Sequence, residues 1–337
     1  MKRHVLLGVT LACGLSAGTA FAAEDGPPPW AWGFTTPMPA TIPPPPPVAP
    51  QAVPKPDEPK FTIEGSKGSF SRTEVNHRYA PADWFPDEHP AMPKVVANGR
   101  EAANPTIYAC ALCHMHTGKG RPENAAVSGL PYDYIIRQLQ DFKAGHRKTS
   151  DLRKTNTGLM EDFTKSMTDA EMHESALYFS SMASTQWIKV QETATVPKTR
   201  TAGGVFFVLE GAQAGTEPLG NRIIETPVST EGFELRNAHS GFIAYVPRGS
   251  VAKGKALVTT GGGKTTACTV CHGADLRGLG PIPRLANRSP SYVARQIYDM
   301  QHGNRIGAWM PLMAPVIEKL TTDDVLNIAA YLASLEP

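Results

Sequence analysis

After Ala22, this 337-residue chain offers no run of about eighteen consecutive apolar residues, the minimum for a membrane-spanning helix, so no internal span is expected. It also lacks an excess of either charge. Lys and Arg total 33 against 31 for Asp and Glu; with Lys2 and Arg3 set aside the balance is 31 to 31, and nothing in it suggests a nucleic-acid surface. Cysteine is scarce, five in all. Cys13 lies in the N-terminal apolar segment, and the other four sit in two tight pairs. None is left over for separate chemistry.

The N-terminus reads as an export signal. Lys2 and Arg3 precede an apolar run from Val5 to Leu15, and Ala20-Phe21-Ala22 is a small-residue cleavage site. Residues 1–22 are therefore expected to be a signal peptide, with a periplasmic product starting near Ala23. A lipoprotein reading of Leu11-Ala12-Cys13 is disfavoured by Thr10, where a branched apolar residue is usual. An uncleaved signal would instead tether the protein to a membrane. Residues 23–60 form a Pro-rich linker: fourteen prolines fall between 27 and 59, including Pro43 to Pro47, a composition that favours extended polyproline II. Residues 61–95, with Trp84-Phe85-Pro86, are richer in aromatics and are expected to be an irregular extension packed on the domain downstream.

The two cysteine pairs are the chemistry of the chain. Cys110-Ala-Leu-Cys113-His114 and Cys268-Thr-Val-Cys271-His272 share the Cys-X-X-Cys-His spacing of covalent c-type haem attachment. Two thiols add across the haem vinyl groups, and the adjacent His114 or His272 reaches the iron. A zinc or redox Cys-X-X-Cys followed by chance by His could explain one copy; two copies are harder to explain that way. Two covalently attached haems c are expected.

An internal repeat supports this. An offset of 158 carries the first motif onto the second, and also Gly120 to Gly278, Tyr134 to Tyr292, Arg137 to Arg295, Gln138 to Gln296, Asp141 to Asp299 and Arg147 to Arg305. An offset of 153 then carries Met160 to Met313, Thr168 to Thr321 and Tyr178 to Tyr331. The units are placed at 96–185 and 250–337. Both read as helical. Thr168 and Glu171 form a capping box, Thr321 or Thr322 can cap the matching helix, and Val325, Ile328, Ala329 and Leu332 share one apolar face. Tyr134 to Lys143 and Tyr292 to Gln301 read as a second helical pair. Residues 186–249 differ: apolar runs at 205–209, 222–225 and 241–246, separated by Gly, Pro and Asn, predict a small β-rich insert.

A Met thioether is the usual sixth ligand where electron transfer is the task, since it raises the reduction potential and closes the iron. Met160, Met167, Met310 and Met313 compete, and the repeat register selects Met160 and Met313, each eighteen residues before a matched Tyr. Arg147 and Arg305 are candidates for haem propionates, because a guanidinium binds carboxylates bidentately; helix-surface solvation is the bland alternative. Tyr134 and Tyr292 stand between a propionate contact and core packing. His116 and His302 could compete for iron if a Met were lost, whereas His77, His89, His146, His173 and His239 read as surface or structural groups.

These residues resemble the diheme cytochrome c-four family, over about residues 96–185 and 250–336. The likeness is carried by CALCH with YIIRQLQDFKAGHR, and by CTVCHGADLRGLGPIPRLANRSPSYVARQIYD. It implies a mainly α fold: two tandem class I cytochrome c domains, here with a small β-rich insert between them and a Pro-rich N-terminal arm. It implies His–Met haems, a periplasmic location and transfer of electrons toward a terminal oxidase. Two departures stand out. The family's Gly after the haem His is Gly273 in the second unit but Met115 in the first, and the Pro whose carbonyl orients the imidazole is Pro283 but Ala125.

A one-electron carrier without catalytic residues is the leading expectation, with a dehydrogenase donor and an oxidase or other acceptor as redox partners. The alternatives are a cytochrome subunit of a periplasmic dehydrogenase complex, and a diheme oxidoreductase. A peroxidase needs an open iron, but both units keep a matched Met. A thiosulfate-oxidising diheme enzyme would want a cysteine ligand, and none remains.

Overall fold

The computed structural model describes residues 26–44 and 49–337, so the expected signal peptide and part of the Pro43 to Pro47 run lie outside the described residues. The chain enters through a single 3-10 turn at Pro29–Trp32 and runs irregularly to two one-turn helices, α1 (Arg72–Val75) and α2 (Lys94–Ala97). The first repeat continues as α3 (Cys110–His114), α4 (Tyr132–Lys143), α5 (Asn156–Ser166) and α6 (Asp169–Ser180). Helix α6 starts where its sequence says it should. Thr168 Oγ1 accepts from the Glu171 amide at 3.2 Å and the Glu171 carboxylate accepts from the Thr168 amide at 2.8 Å, satisfying two orphan donors. Val95, Ile107, Tyr134, Phe163, Met172 and Phe179 build the core of this unit.

The insert comprises β1 (Ile188–Thr193), β2 (Thr195–Pro197), β3 (Thr199–Ala202), β4 (Val205–Val208), β5 (Thr216–Pro218), β6 (Ile224–Pro227), α7 (Thr230–Glu234) and β7 (Phe242–Pro247). Strand β7 is central to a three-stranded sheet, parallel to β1 with Ile188 opposite Phe242, and antiparallel to β6 with Ile224 opposite Tyr245. β2 pairs with β5 and β3 with β4 as antiparallel ribbons. The apolar runs marked β4, β6 and β7 in advance. β1, β2, β3 and β5 carry Thr, Lys, Gln and Glu along exposed edges, so they have no apolar run to announce them.

The second repeat is α8 (Ser250–Thr260), α9 (Thr269–His272), α10 (Pro290–Gln301), α11 (Met310–Ile317) and α12 (Thr322–Ser334). Thr321, not Thr322, caps α12, with Asp324 completing the box. Val325, Ile328, Ala329 and Leu332 are all buried, as their spacing requires. Helix α8 lies backbone-to-backbone on α12. A Cβ at Gly254 would stand 1.9 Å from the Asn327 carbonyl oxygen, so only glycine permits this crossing.

The insert does not stand apart: β1 and β7 pack on α12, and Ile188, Phe206 and Phe242 share one core with Ile328 and Leu332. One organisational expectation needs correction. The stretch 23–60 is not a spacer throughout. Trp30, Ala31 and Trp32 are buried, with Trp32 edge-on to Tyr298 of α10 at 5.5 Å and its Nε1 donating to Thr149 Oγ1 at 2.9 Å. Two indoles bring enough apolar surface to hold the segment down despite its prolines. Residues 52–57 do run exposed, as a spacer would. Among the described residues no helix is long and apolar enough to cross a membrane.

Candidate haem sites

Each Cys-X-X-Cys-His motif is a short helix continued by a loop that folds back over it. In the second repeat His272 Nδ1 lies 2.8 Å from the Pro283 carbonyl oxygen; in the first, His114 Nδ1 lies 2.8 Å from that of Ala125. A carbonyl only accepts, so Nδ1 carries the proton in both and Nε2 is left with its lone pair. The Pro-to-Ala change at Ala125 therefore leaves the orienting contact in place. Matched loop closures complete the pattern: the Gly120 amide donates to His114 O and the Gly278 amide to His272 O, both at 2.9 Å. A Cβ at Gly120 would meet Ala125 O at 2.3 Å, so that glycine lets the loop pass over itself.

The electrostatics suit a ligand rather than a free acid or base. Burial lowers both imidazoles below the ordinary histidine value, against the raising effect of the carbonyl contact, so they are held neutral. Burial also pushes the Cys110 thiol up to about 12 and Cys268 up to about 11, so neither is poised as a free thiolate. Beside α9 lies a cavity of about 220 Å³ with apolar walls including Leu285, Val293, Ile297 and Leu332. Cys268, Cys271 and His272 line it on one side, and Met310 and Met313 of α11 on another. In the first repeat Met160 of α5 packs partly buried against the core of that unit and Met167 lies within that core, while its counterpart Leu320 is buried in the core of the second repeat. His116 Nε2 donates to Pro81 O at 3.1 Å, and His302 is exposed and stacked on Tyr298 at 3.8 Å.

Arg147, Arg305, Tyr134 and Tyr292 are brought together at the junction of the two repeats. Arg147 pairs with Arg305 as an antiparallel bridge: the Lys148 amide donates to Asn304 O at 2.6 Å and the Ile306 amide to His146 O at 2.8 Å. Both bonds join one repeat to the counterpart residues of the other, so a local two-fold axis passes through the bridge. The side chains cross it. Arg147 Nη2 donates to Gln296 Oε1 at 2.7 Å, and Arg305 Nη2 to Gln138 Oε1 at 2.9 Å and the Tyr134 hydroxyl at 3.1 Å. Among the described residues Arg147, Arg288 and Arg305 have no carboxylate within ion-pair distance. Burial alone would raise the Tyr292 hydroxyl, yet Arg147, Arg288 and Arg305 pull it well below the usual phenol range. Uncompensated positive charge in a buried site calls for anions. Haem propionates fit this, as neutral imidazoles, paired cysteines and apolar walls fit the macrocycle.

Gln138, Gln296, Arg288 and Trp309 were not anticipated as site residues. Gln138 and Gln296 carried a usable signal, since both are matched in the repeat. Trp309 carried none; it reaches from the second repeat into the first core and packs under the Arg137 guanidinium at 4.5 Å.

Known proteins resemble this chain in sequence. The family described as Cytochrome c matches residues 251–336. Cytochrome c-554(548) of Halomonas halodenitrificans is 39% identical over 74 residues, 22% of this chain and 89% of that protein. A thiosulfate dehydrogenase electron acceptor of Stutzerimonas stutzeri is 32% identical over 236 residues, 69% of this chain and 82% of that protein. A solved cytochrome c4 of Acidithiobacillus ferrooxidans aligns with TM-score 0.42 at 21% identity, over 67% of this chain and 98% of that one. Two matched Cys-X-X-Cys-His loops and a relative 32% identical over 82% of its own length lead to one conclusion: the chain belongs to the diheme cytochrome c family.

Proposed function

We propose that this protein carries two covalent haems c and passes single electrons between redox proteins in the periplasm, after removal of residues 1–22. The observation that carries the reading is the paired geometry: two matched Cys-X-X-Cys-His loops, each with its His Nδ1 anchored to a carbonyl at 2.8 Å. Each haem supplies a one-electron iron couple when bound.

The chain's residues do the rest. Cys110, Cys113, Cys268 and Cys271 fix the macrocycles, and His114 and His272 present a lone pair held in direction by the carbonyl behind it. Met160 and Met313 would supply the second protein ligand to each iron, Met313 being preferred over Met310 by the repeat register. Arg147 and Arg305, with Tyr134 and Tyr292, would hold propionates at the junction of the two repeats. A pyridine haemochrome assay tests the reading. Two haems per chain, resistant to acid-acetone extraction, are expected; one haem, or extractable haem, would overturn it.

A second reading is favoured by the relatives called thiosulfate dehydrogenase electron acceptors. Here the protein receives electrons from a periplasmic dehydrogenase and delivers them toward an oxidase. Reduction of the purified protein by a native dehydrogenase fraction, and its failure with the His272→Ala protein, would support it. Equal reduction of both would remove it.

A further inference from the structure

The two attachment loops share a backbone but not a surface. No residue from 111 to 123 is exposed, whereas Val270, Cys271 and Leu279 of the second loop all are. Counterparts diverge sharply: Leu112 is 7% exposed and Val270 65%. The Arg121 side chain is 13% exposed, and its counterpart Leu279 is 61% exposed.

The cover over the first loop comes from two places. From the insert, the Arg236 guanidinium donates to Leu112 O, Ala238 O accepts from Lys119 Nζ at 2.7 Å, and the Phe233 ring lies 4.0 Å from the Arg121 guanidinium. Leu112 immediately precedes Cys113, so the Arg236 contact sets this layer beside the second cysteine. From the N-terminal extension, Pro81 O accepts from His116, and Trp84 Nε1 donates to Leu235 O at 2.6 Å, tying the two covering segments together. Met115 inserts between them. It adopts φ 64, ψ 156, the conformation its counterpart Gly273 has at φ 86, ψ 153, a region strained for any side chain. The strain is offset by a buried thioether, 4% exposed, in the core that holds Trp84 and Phe85. The departure from glycine at this position is thus an anchor for the cover.

We propose that residues 229–240 and 81–85 form a cap closing the second-cysteine edge of the first site, so that the protein exchanges electrons with partner proteins through the second site alone. This rests on the two-haem reading. At each encounter a one-electron redox protein gains or loses one electron at the second site, and the first site gains or loses its own electron across the junction.

The experiment uses the full holoprotein. Leu279→Glu is an exposed change in the second attachment loop, and oxidation of the reduced protein by hexacyanoferrate(III) is monitored by stopped flow. With one port, added negative charge slows oxidation of both haems together. If half of the absorbance change keeps its wild-type rate, a second port exists and the proposal is overturned. A neutral gadolinium chelate added to the reduced protein gives an independent reading by NMR. It should relax haem resonances of the second site and spare the first, and a Phe233→Ala/Arg236→Ala protein should lose that protection. Equal relaxation at both wild-type sites would overturn the cap. Amide exchange separates this from failure of the carrier reading: slower exchange at 111–123 than at 269–281 upholds the cap whatever the haem count, and equal exchange removes it.

Discussion

The first repeat holds its attachment loop beneath a second layer of protein, while the second repeat leaves the same loop bare. Their inner faces are alike, with both histidines 2.8 Å from a carbonyl and both loops closed by a glycine amide at 2.9 Å. Their outer faces share little: Met115, Leu112 and Arg121 in one become Gly273, Val270 and Leu279 in the other. Ligand-holding geometry depends on contacts within about a dozen residues and survives duplication. What lies outside the loop depends on which distant segment packs there, so it diverges freely.

The largest effect expected from breaking the likeness is loss of one site. His272→Ala should remove the haem bound at the second loop and leave the first spectrally intact; His114→Ala should do the reverse, and the haemochrome absorbance per chain should halve in either case. If one substitution empties both sites, the repeats do not assemble independently.

Next come the opposite ligands. The oxidised protein should show the weak sulfur-to-iron band near roughly 695 nm expected of His–Met haems, with Met160→Ala or Met313→Ala each removing about half. Met310 lines the same cavity as Met313, so Met310→Ala is the control and should leave the band. A band lost in Met310→Ala and kept in Met313→Ala would reassign the ligand.

The contrast at Met115 and Gly273 gives a smaller, signed difference. Gly273→Met would adopt the same strained backbone with no cap to bury its side chain, and its Cβ would meet Gly278 O at 3.0 Å. A loss of about 1–3 kcal/mol is expected in chemical denaturation. Met115→Gly relieves similar strain while losing a buried side chain worth about 1.5–3 kcal/mol, so the two nearly cancel. Equal losses for the two substitutions would argue that no cap compensates the strain.

The smallest effect concerns two carboxylates of opposite sign. Burial dominates at Asp324, but its contacts to Lys264 and Thr321 leave it below the ordinary value. Its contribution is therefore present above the ordinary carboxylate pKa and lost as pH falls through the lowered one. Glu225 is raised by burial, against the hydrogen bonds from Ser289 and Ser291. Its contribution is present below the ordinary value and lost as pH rises through the raised one. Thr321→Ala should cost about 1 kcal/mol at neutral pH and less in acid, while Glu225→Gln should flatten the stability decline above about pH 4. Melting curves across that range check both signs.

Much of the inner geometry was legible in advance because it is local. The capping box at Thr168, a cap at Thr321 or Thr322 and the apolar face of α12 involve residues close in the chain, whose spacing is itself the constraint; the carbonyl behind each histidine was implied by the family resemblance. The repeat register placed Arg147 with Arg305 and Gln138 with Gln296, but as equivalents, not as neighbours. A repeat states which residues correspond and is silent on whether the copies face one another; the crossed Arg–Gln contacts exist only because they do. The Trp30-Ala31-Trp32 plug was hidden by its prolines, and the merging of the insert with the second core by polar strand edges. So the amino-acid sequence by itself determined the attachment chemistry and the two helical frames, through short-range spacing. Tertiary structure alone decided which loop is covered, where the arginines meet and which core the insert joins, because those depend on burial between segments far apart in the chain.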